Sequence, residues 1–178
     1  MRRQQTLLVT LGSAALVACG SGQTSHAQPA SGEARAARDT STVGRDLARL
    51  RAATAAFRRL DAAVAAGYAR DVAQCVAHPQ HGGMGFHHTN PGLLDARLEV
   101  ERPEILVYGR AADGTYKLNG VEYVVPYTAH SRDAAPPSIM GQSLIRADGL
   151  GLWYLHVWAW DENPKGLFAS WHPGVKCP

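Results

Sequence analysis

The stretch from Leu152 to Trp160, LWYLHVWAW, limits the possible folds of this chain more than any other segment. It is dense in aromatic and β-branched residues, which favour strands. Side chains alternate between the two faces of a strand, so Trp153 and Trp158 lie on opposite faces, and both faces need cover. We therefore expect an inner strand of a sheet, with both tryptophans in the core.

Helical periodicity comes earlier in the chain. Apolar residues recur at helical spacing between Leu47 and Val64, among many alanines, and Ser41 or Thr42 is suited to begin this helix. Gly67 is expected to end or kink it. A second short helix is predicted from residue 69 to about 76, where His78-Pro79 stops it.

Strand-like segments follow the helices. Residues 105–108 and 121–125 are rich in β-formers, and Asp113-Gly114 is typical of a hairpin turn between them. Residues 128–151 contain many turn formers, and a coil is expected from Asn163 to the end of the sequence. The order predicts an α+β domain, in which an N-terminal amphipathic helix packs on a mostly antiparallel β-sheet, followed by a long C-terminal coil.

The first residues have the pattern of an export signal. A cationic start is followed by an apolar run from Leu7 to Val17, shorter than the roughly 20 residues that span a bilayer. The run ends in Leu16-Val17-Ala18-Cys19, which resembles the lipobox of bacterial lipoproteins. That resemblance implies removal of residues 1–18 and lipidation of Cys19, for example with palmitate, so that the protein is held at a membrane by its acyl chains.

Three regions are therefore predicted: a signal peptide (1–18), a flexible tether rich in Gly, Ser and Ala (19–40), and a single globular domain (41–178). Removing the signal takes away Arg2 and Arg3, which leaves 16 basic residues against 15 acidic ones. This near-neutral balance argues against a nucleic-acid partner. The expected location is the cell envelope, facing the periplasm or the cell exterior.

Two cysteines remain once Cys19 is acylated. Cys75 and Cys177 would then lie in a compartment that permits disulfides. We expect a bridge between them, which would attach the C-terminal tail to the segment before the histidine-rich stretch. The alternative is two free thiols.

Several short motifs in order resemble a group of uncharacterised exported bacterial proteins. The resemblance covers roughly residue 67 to the C-terminus and rests on GMGxH (Gly83–His87), VEY (Val121–Tyr123), LHVW (Leu155–Trp158) and NPxGxFxxWxPxVxC (Asn163–Cys177). It implies no reaction, because no activity is established for the group. His87 and His156 fall on motif positions, whereas the resemblance implies an aromatic residue at His88 and an asparagine at His172.

The segment HPQHGGMGFHHTNP contains His78, His81, His87 and His88. Imidazoles beside Met84 suit copper, or zinc if only the nitrogens bind. The spacing matches no compact metal-binding motif, however, and an extended chain would direct His87 and His88 to opposite sides. We therefore interpret His78, His81 and His88 as residues of a solvated, glycine-rich loop.

Glu122 is the most informative polar residue. It lies in the apolar segment VEYVV, with Leu118 and Val124 expected on its face, and a buried carboxylate needs a partner. His156, on a face expected to include Trp158 and Trp160, is the nearest candidate. Together with His87, the two would form a two-histidine, one-carboxylate set able to bind a divalent metal such as zinc, copper or iron.

Two other interpretations of the same residues stay open. Glu122 and His156 are candidates for an acid–base pair without metal, beneath an aromatic pocket with Trp171 at its rim. They are equally compatible with a hydrogen bond that only satisfies two buried groups. The sequence thus leaves three functions: a module binding a metal ion or small ligand, an enzyme acting on a small substrate, or a structural envelope protein. It identifies no protein partner.

Overall fold

A computed structural model describes residues 31–69 and 75–178. Helix α1 (Ser31–Thr54) leads through a 3-10 turn (Ala55–Arg58) into the short helix α2 (Leu60–Ala65). Eight strands follow: β1 (Cys75–His78), β2 (Gly82–Thr89), β3 (Ile105–Arg110), β4 (Tyr116–Pro126), β5 (Ser138–Ile139), β6 (Gln142–Ser143), β7 (Ile145–Ala147) and β8 (Leu152–Val157). The predicted α+β class is confirmed. The predicted signal peptide, Cys19 and most of the tether lie outside the described residues.

Six strands form one sheet in the order β1-β2-β3-β4-β8-β7, and every pair is antiparallel. Strands β5 and β6 form a separate hairpin. As predicted, β8 is an inner strand, and Trp153 and Trp158 are each only 2% exposed. In the part of the chain that the structure describes, no helix has the length and apolar character needed to cross a membrane.

One face of the sheet packs against the helical segments. Leu50 of α1 is completely buried in a core that includes Tyr108 and Tyr123. The Tyr108 hydroxyl donates a hydrogen bond to the Phe57 carbonyl (2.5 Å), which joins the 3-10 turn to β3. The main hydrophobic core therefore lies between the helices and the sheet, and the functional candidates lie on the opposite face.

The opposite face has a smaller apolar cluster. Ile105, Val107 and Val124 are buried there, with Leu152 and Tyr154 packed against them. This cluster contributes less buried apolar surface than the helix-covered face. Its position on β3, β4 and β8 places apolar side chains around Glu122.

The C-terminal coil returns to the β1–β2 edge of the sheet. The predicted Cys75–Cys177 disulfide is present, with the two Cα atoms 5.5 Å apart. Gly83 and His172 exchange two backbone hydrogen bonds of 3.1 and 2.9 Å. These links hold the coil over the face of the sheet that lies opposite the helices.

The loop prediction is wrong for Gly82–Thr89, which is strand β2, and for His78, which ends strand β1. It is correct for His81, which is exposed in the turn between the two strands. The glycines of β2 serve close approach of the backbone rather than flexibility. A Cβ at Gly83 would lie 2.8 Å from the Val175 side chain, and a Cβ at Gly85 only 2.5 Å from the Tyr108 carbonyl oxygen. Glycine within a strand often marks such contacts.

The second predicted helix is also wrong where the structure describes it. Cys75 and Val76 belong to strand β1, while residues 70–74 lie outside the described residues. Pairing with β2 accounts for the extended conformation of this segment. Local helical propensity is weak compared with such tertiary pairing.

A β-bulge changes the facing of one predicted neighbour of Glu122. Val107 pairs with Gly120 and Tyr108 pairs with Leu118, so that β4 has one extra residue between the pairs. The alternation of side chains is shifted by that residue, and Leu118 packs in the helix-side core instead of beside Glu122. Trp160 likewise leaves the His156 face, because β8 ends at Val157, and its indole donates to Thr54 of α1.

Candidate functional site

Four neighbouring strands of the sheet, β2, β3, β4 and β8, bring Glu122 and His156 together and place His87 near them. Glu122 of β4 is directly paired with His156 of β8 and with Ile105 of β3. His87 lies on β2, paired with Val107 of β3. Residues at such cross-strand positions contact each other because their side chains share one face of the pleated sheet.

The Glu122 carboxylate lies between two imidazoles. Its Oε2 is 3.4 Å from Nε2 of His87, and its Oε1 is 3.3 Å from Nδ1 of His156. Glu122 is 5% exposed and His156 only 1%. Each carboxylate oxygen thus has its own imidazole partner, which meets the requirement that a buried charge be paired.

The contacts of His87 define its protonation state. Its Nδ1 lies 3.1 Å from the Gly85 carbonyl oxygen, which only accepts hydrogen bonds, so Nδ1 carries a proton. Its Nε2 faces the Glu122 carboxylate and donates a hydrogen bond to it when His87 is an imidazolium. The burial of His87 favours its neutral form, but the charge and hydrogen bond of Glu122 outweigh this and raise its pKa above 6.5.

Burial favours the neutral form of both Glu122 and His156, but it sets the direction of the pKa shift only for His156. Burial disfavours the Glu122 carboxylate, yet His87 and His156 together hold the pKa of Glu122 far below its ordinary value. For His156, burial dominates over the contact with Glu122 and lowers the pKa below 6.5. Between the lowered pKa of His156 and the raised pKa of His87, the site therefore contains one imidazolium, one carboxylate and one neutral imidazole, with no net charge.

His156 is held behind Glu122 by aromatic packing. Its ring stacks on Trp158, with centroids 4.2 Å apart. Its Nε2 is buried and has no hydrogen-bond partner among the described residues. With Nδ1 donating to Glu122, Nε2 is the unprotonated nitrogen of the neutral ring. His156 thus fixes the orientation of the Glu122 carboxylate.

A cavity of about 380 Å³ opens above this group, and Glu122 and His87 are part of its lining. Its walls are mainly apolar, and they are formed by Val76, Met84, Ile105, Val124, Ala147, Leu150, Leu152, Tyr154 and Trp171. Trp171, predicted at a pocket rim, is among them. His156 is not, so of the two predicted catalytic candidates only Glu122 reaches the cavity.

The other histidines lie elsewhere. His88 is fully buried on the helix side of β2, where its ring contacts Tyr108 and Tyr116 edge-on, and its prediction as a solvated loop residue is wrong. His78 and His81 stack on each other with centroids 4.2 Å apart, beside Trp171. The directional prediction that His87 and His88 point to opposite sides is correct.

The contacts do not resemble a metal centre. Among residues 31–69 and 75–178, no group of three or more His, Cys, Asp or Glu side chains is arranged to hold a metal ion. His87 and His156 each direct a nitrogen at a different oxygen of Glu122, so both imidazoles contact the carboxylate and not a common ion position. The assignment of these residues as metal ligands gains no support from this arrangement.

Sequence reasoning missed most of the cavity wall. The sequence predicts a helix at Val76, suggests Met84 only as a metal ligand, and places Leu150 among turn formers. The exposure of two of these apolar residues, 77% for Leu150 and 39% for Val76, identifies the rim once the fold is known. Large apolar side chains grouped at a surface opening often mark a binding site.

Comparisons with protein-family models, with curated proteins and with solved structures gave no match for this chain. Its function must therefore be argued from the geometry of the site.

Proposed function

We propose that this domain binds a small apolar molecule in the cavity above Glu122 and His87, as a lipid-anchored protein of the cell envelope. The observation that carries this proposal is the combination of an apolar-walled cavity of about 380 Å³ with a charged, hydrogen-bonded pair in its lining. Small-molecule sites typically have volumes of about 300–1,000 Å³, apolar walls and a few placed polar groups.

The sequence supports the proposed location. The apolar run and the lipobox-like Leu16–Cys19 indicate export and lipidation, and the resemblance of several motifs to those of exported bacterial proteins agrees with this. The Cys75–Cys177 disulfide is typical of proteins in oxidising compartments. Lipidation at Cys19 would hold the cavity close to a membrane surface, from which apolar molecules are available.

A second candidate function is acid–base catalysis without a metal. It is favoured by one observation, namely that the His87 imidazolium lies in the lining of an apolar cavity and contacts Glu122 there. The Glu122 carboxylate held by this imidazolium keeps acceptor positions toward the cavity and is suited to accept a proton from a bound substrate as a general base. Binding is the simpler proposal, because it needs only the cavity and its polar group.

Fluorescence of N-phenyl-1-naphthylamine, a neutral apolar dye, tests the binding proposal. The dye should become brighter and saturate at one site per chain of the domain. Ala147→Trp places a large side chain at a half-buried position of the cavity wall and should weaken the dye's affinity at least tenfold.

The control is Ala112→Trp, which adds the same side chain at an exposed turn position away from the cavity. This variant should bind the dye like the wild type. Absence of saturable binding, or equal affinity in both tryptophan variants, would contradict the proposal. Circular dichroism should verify that each variant is folded.

A further inference from the structure

The hydrogen bonds already made at the site limit what a ligand can add. Both ring nitrogens of His87 are engaged, one with Gly85 and the other with Glu122. The Glu122 carboxylate has about four acceptor positions, of which the two imidazoles use two. The unused capacity at this end of the cavity therefore consists of hydrogen-bond acceptors, which need a donor.

The charges are already balanced before a ligand arrives. Among the side chains that line the cavity, those able to titrate are His87, Glu122 and Tyr154, and the Tyr154 hydroxyl contacts Ser170 at 3.2 Å. His87 and Glu122 neutralise each other. A cationic or anionic ligand would therefore add an unbalanced charge to an apolar cavity, which is strongly unfavourable.

The walls determine the rest of the ligand. Apolar side chains from all six strands of the main sheet surround the opening, and Leu150 and Val76 leave exposed apolar surface at the rim. Covering such apolar surface with a ligand removes it from water and is therefore favourable. A ligand that fits this distribution has an apolar body toward the rim and one polar group toward Glu122.

We infer that the cavity selects uncharged apolar molecules that carry a hydrogen-bond donor, such as a hydroxyl or amide N–H, which binds to the Glu122 carboxylate. This inference rests on the proposed binding function and specifies its ligand class. His87 acts as the internal counter-ion that makes Glu122 available as an acceptor while excluding charged head groups.

Three probes with the same octyl chain test this selectivity: 1-octanol, nonanoate and octylammonium. Each competes with N-phenyl-1-naphthylamine for the wild-type protein at pH 6.0, where His87 is protonated, and each is used below the concentration at which it aggregates. We expect 1-octanol to displace the dye with an affinity at least tenfold higher than either charged probe. The octyl chains can make the same apolar contacts in all three probes, so a difference in affinity is due to the head group.

His87→Gln provides a second, independent measurement. This variant removes the internal cation and leaves Glu122 without charge compensation. We expect the selectivity to change in favour of octylammonium, whose charge replaces that of the imidazolium. His81→Gln alters an exposed histidine in the same way and should retain the wild-type preference.

The outcomes separate the two proposals. If the dye does not bind at a single site, the proposed function itself fails. If the dye binds but nonanoate or octylammonium competes as well as 1-octanol in the wild type, only the inferred ligand class is overturned. An unchanged preference in folded His87→Gln would show that His87 does not set the selectivity and would also overturn it.

Discussion

Nδ1 of His156 lies 3.3 Å from Oε1 of Glu122, and the two residues are directly paired on neighbouring antiparallel strands. The backbone register thus determines which imidazole supports this buried carboxylate. His87 completes the arrangement from a strand further along the sheet. The buried Glu122 carboxylate is stable in this position because each of its oxygens has an imidazole partner. One side of the carboxylate still faces the cavity.

Glu122→Gln should lower the pKa of His87. Without the carboxylate, burial is no longer opposed, and we expect the pKa to fall from above 6.5 to below it. NMR titration of the His87 ring measures this directly. Glu101→Gln changes a carboxylate outside the cavity and should leave the His87 titration unaltered; a similar titration in all three proteins would disprove the coupling.

The His87–Glu122 pair should stabilise the fold within a defined pH window. Because the pKa of His87 is raised in the folded protein, the stability that its charged form contributes is fully present below pH 6.5. This stability is lost as the pH rises through the raised pKa. Because the pKa of Glu122 is lowered in the folded protein, the stability that its carboxylate contributes is fully present above pH 4.5 and is lost as the pH falls through the lowered pKa. A double-mutant cycle with His87→Gln and Glu122→Gln should give a coupling energy of about 1–3 kcal/mol, largest between these values. A coupling that does not depend on pH would contradict the ion pair.

The buried Glu104 should make the folded protein less stable as the pH rises. This carboxyl is 1% exposed, and burial raises its pKa to about 7, although Oε2 accepts a hydrogen bond from the Val124 amide. Between pH 4.5 and about 7 the unfolded chain ionises Glu104 while the folded protein keeps it protonated, which favours unfolding. Glu104→Gln should therefore become more stable relative to the wild type across this range, by up to about 3 kcal/mol. Urea unfolding at several pH values measures the difference, and a constant offset would disprove the assignment.

The disulfide should matter for both stability and binding. It joins residues 102 positions apart, for which the chain-entropy model gives about 4–5 kcal/mol. Val76 follows Cys75 directly, and both Val76 and Trp171 line the cavity, so a reductant should also weaken dye binding. A Cys75→Ser, Cys177→Ser double variant serves as the control, since a reductant should not change it. Unaltered unfolding of the wild type after reduction would count against this role.

Gly85→Ala should destabilise the protein by at least about 1–3 kcal/mol. Gly85 has a φ of +118°, and an added Cβ would lie 2.5 Å from the Tyr108 carbonyl oxygen. At Gly149, by contrast, an added Cβ meets no atom within 4 Å, so Gly149→Ala should change stability by less than about 0.5 kcal/mol. Thermal unfolding of the two variants compares them, and equal midpoints would show that β2 tolerates a side chain there.

Much of the candidate site could be inferred from one-dimensional patterns. A carboxylate within VEYVV and an imidazole within LWYLHVW each require a partner, because an apolar strand offers none. That requirement correctly led to the contact between Glu122 and His156. It did not distinguish metal ligation from hydrogen bonding, because this depends on whether the nitrogens face a common point or separate oxygens.

The sequence by itself determined the α+β class, the inner position of β8, the opposite directions of His87 and His88, and the expectation of a disulfide, since these follow from side-chain periodicity and residue chemistry. Tertiary structure alone decided that β2 is a strand, that Leu118 leaves the face of Glu122, and that a cavity opens above the charged pair. Those features depend on strand pairing, on one extra residue in β4, and on contacts between segments distant in the chain. Local propensity contains no information about such contacts.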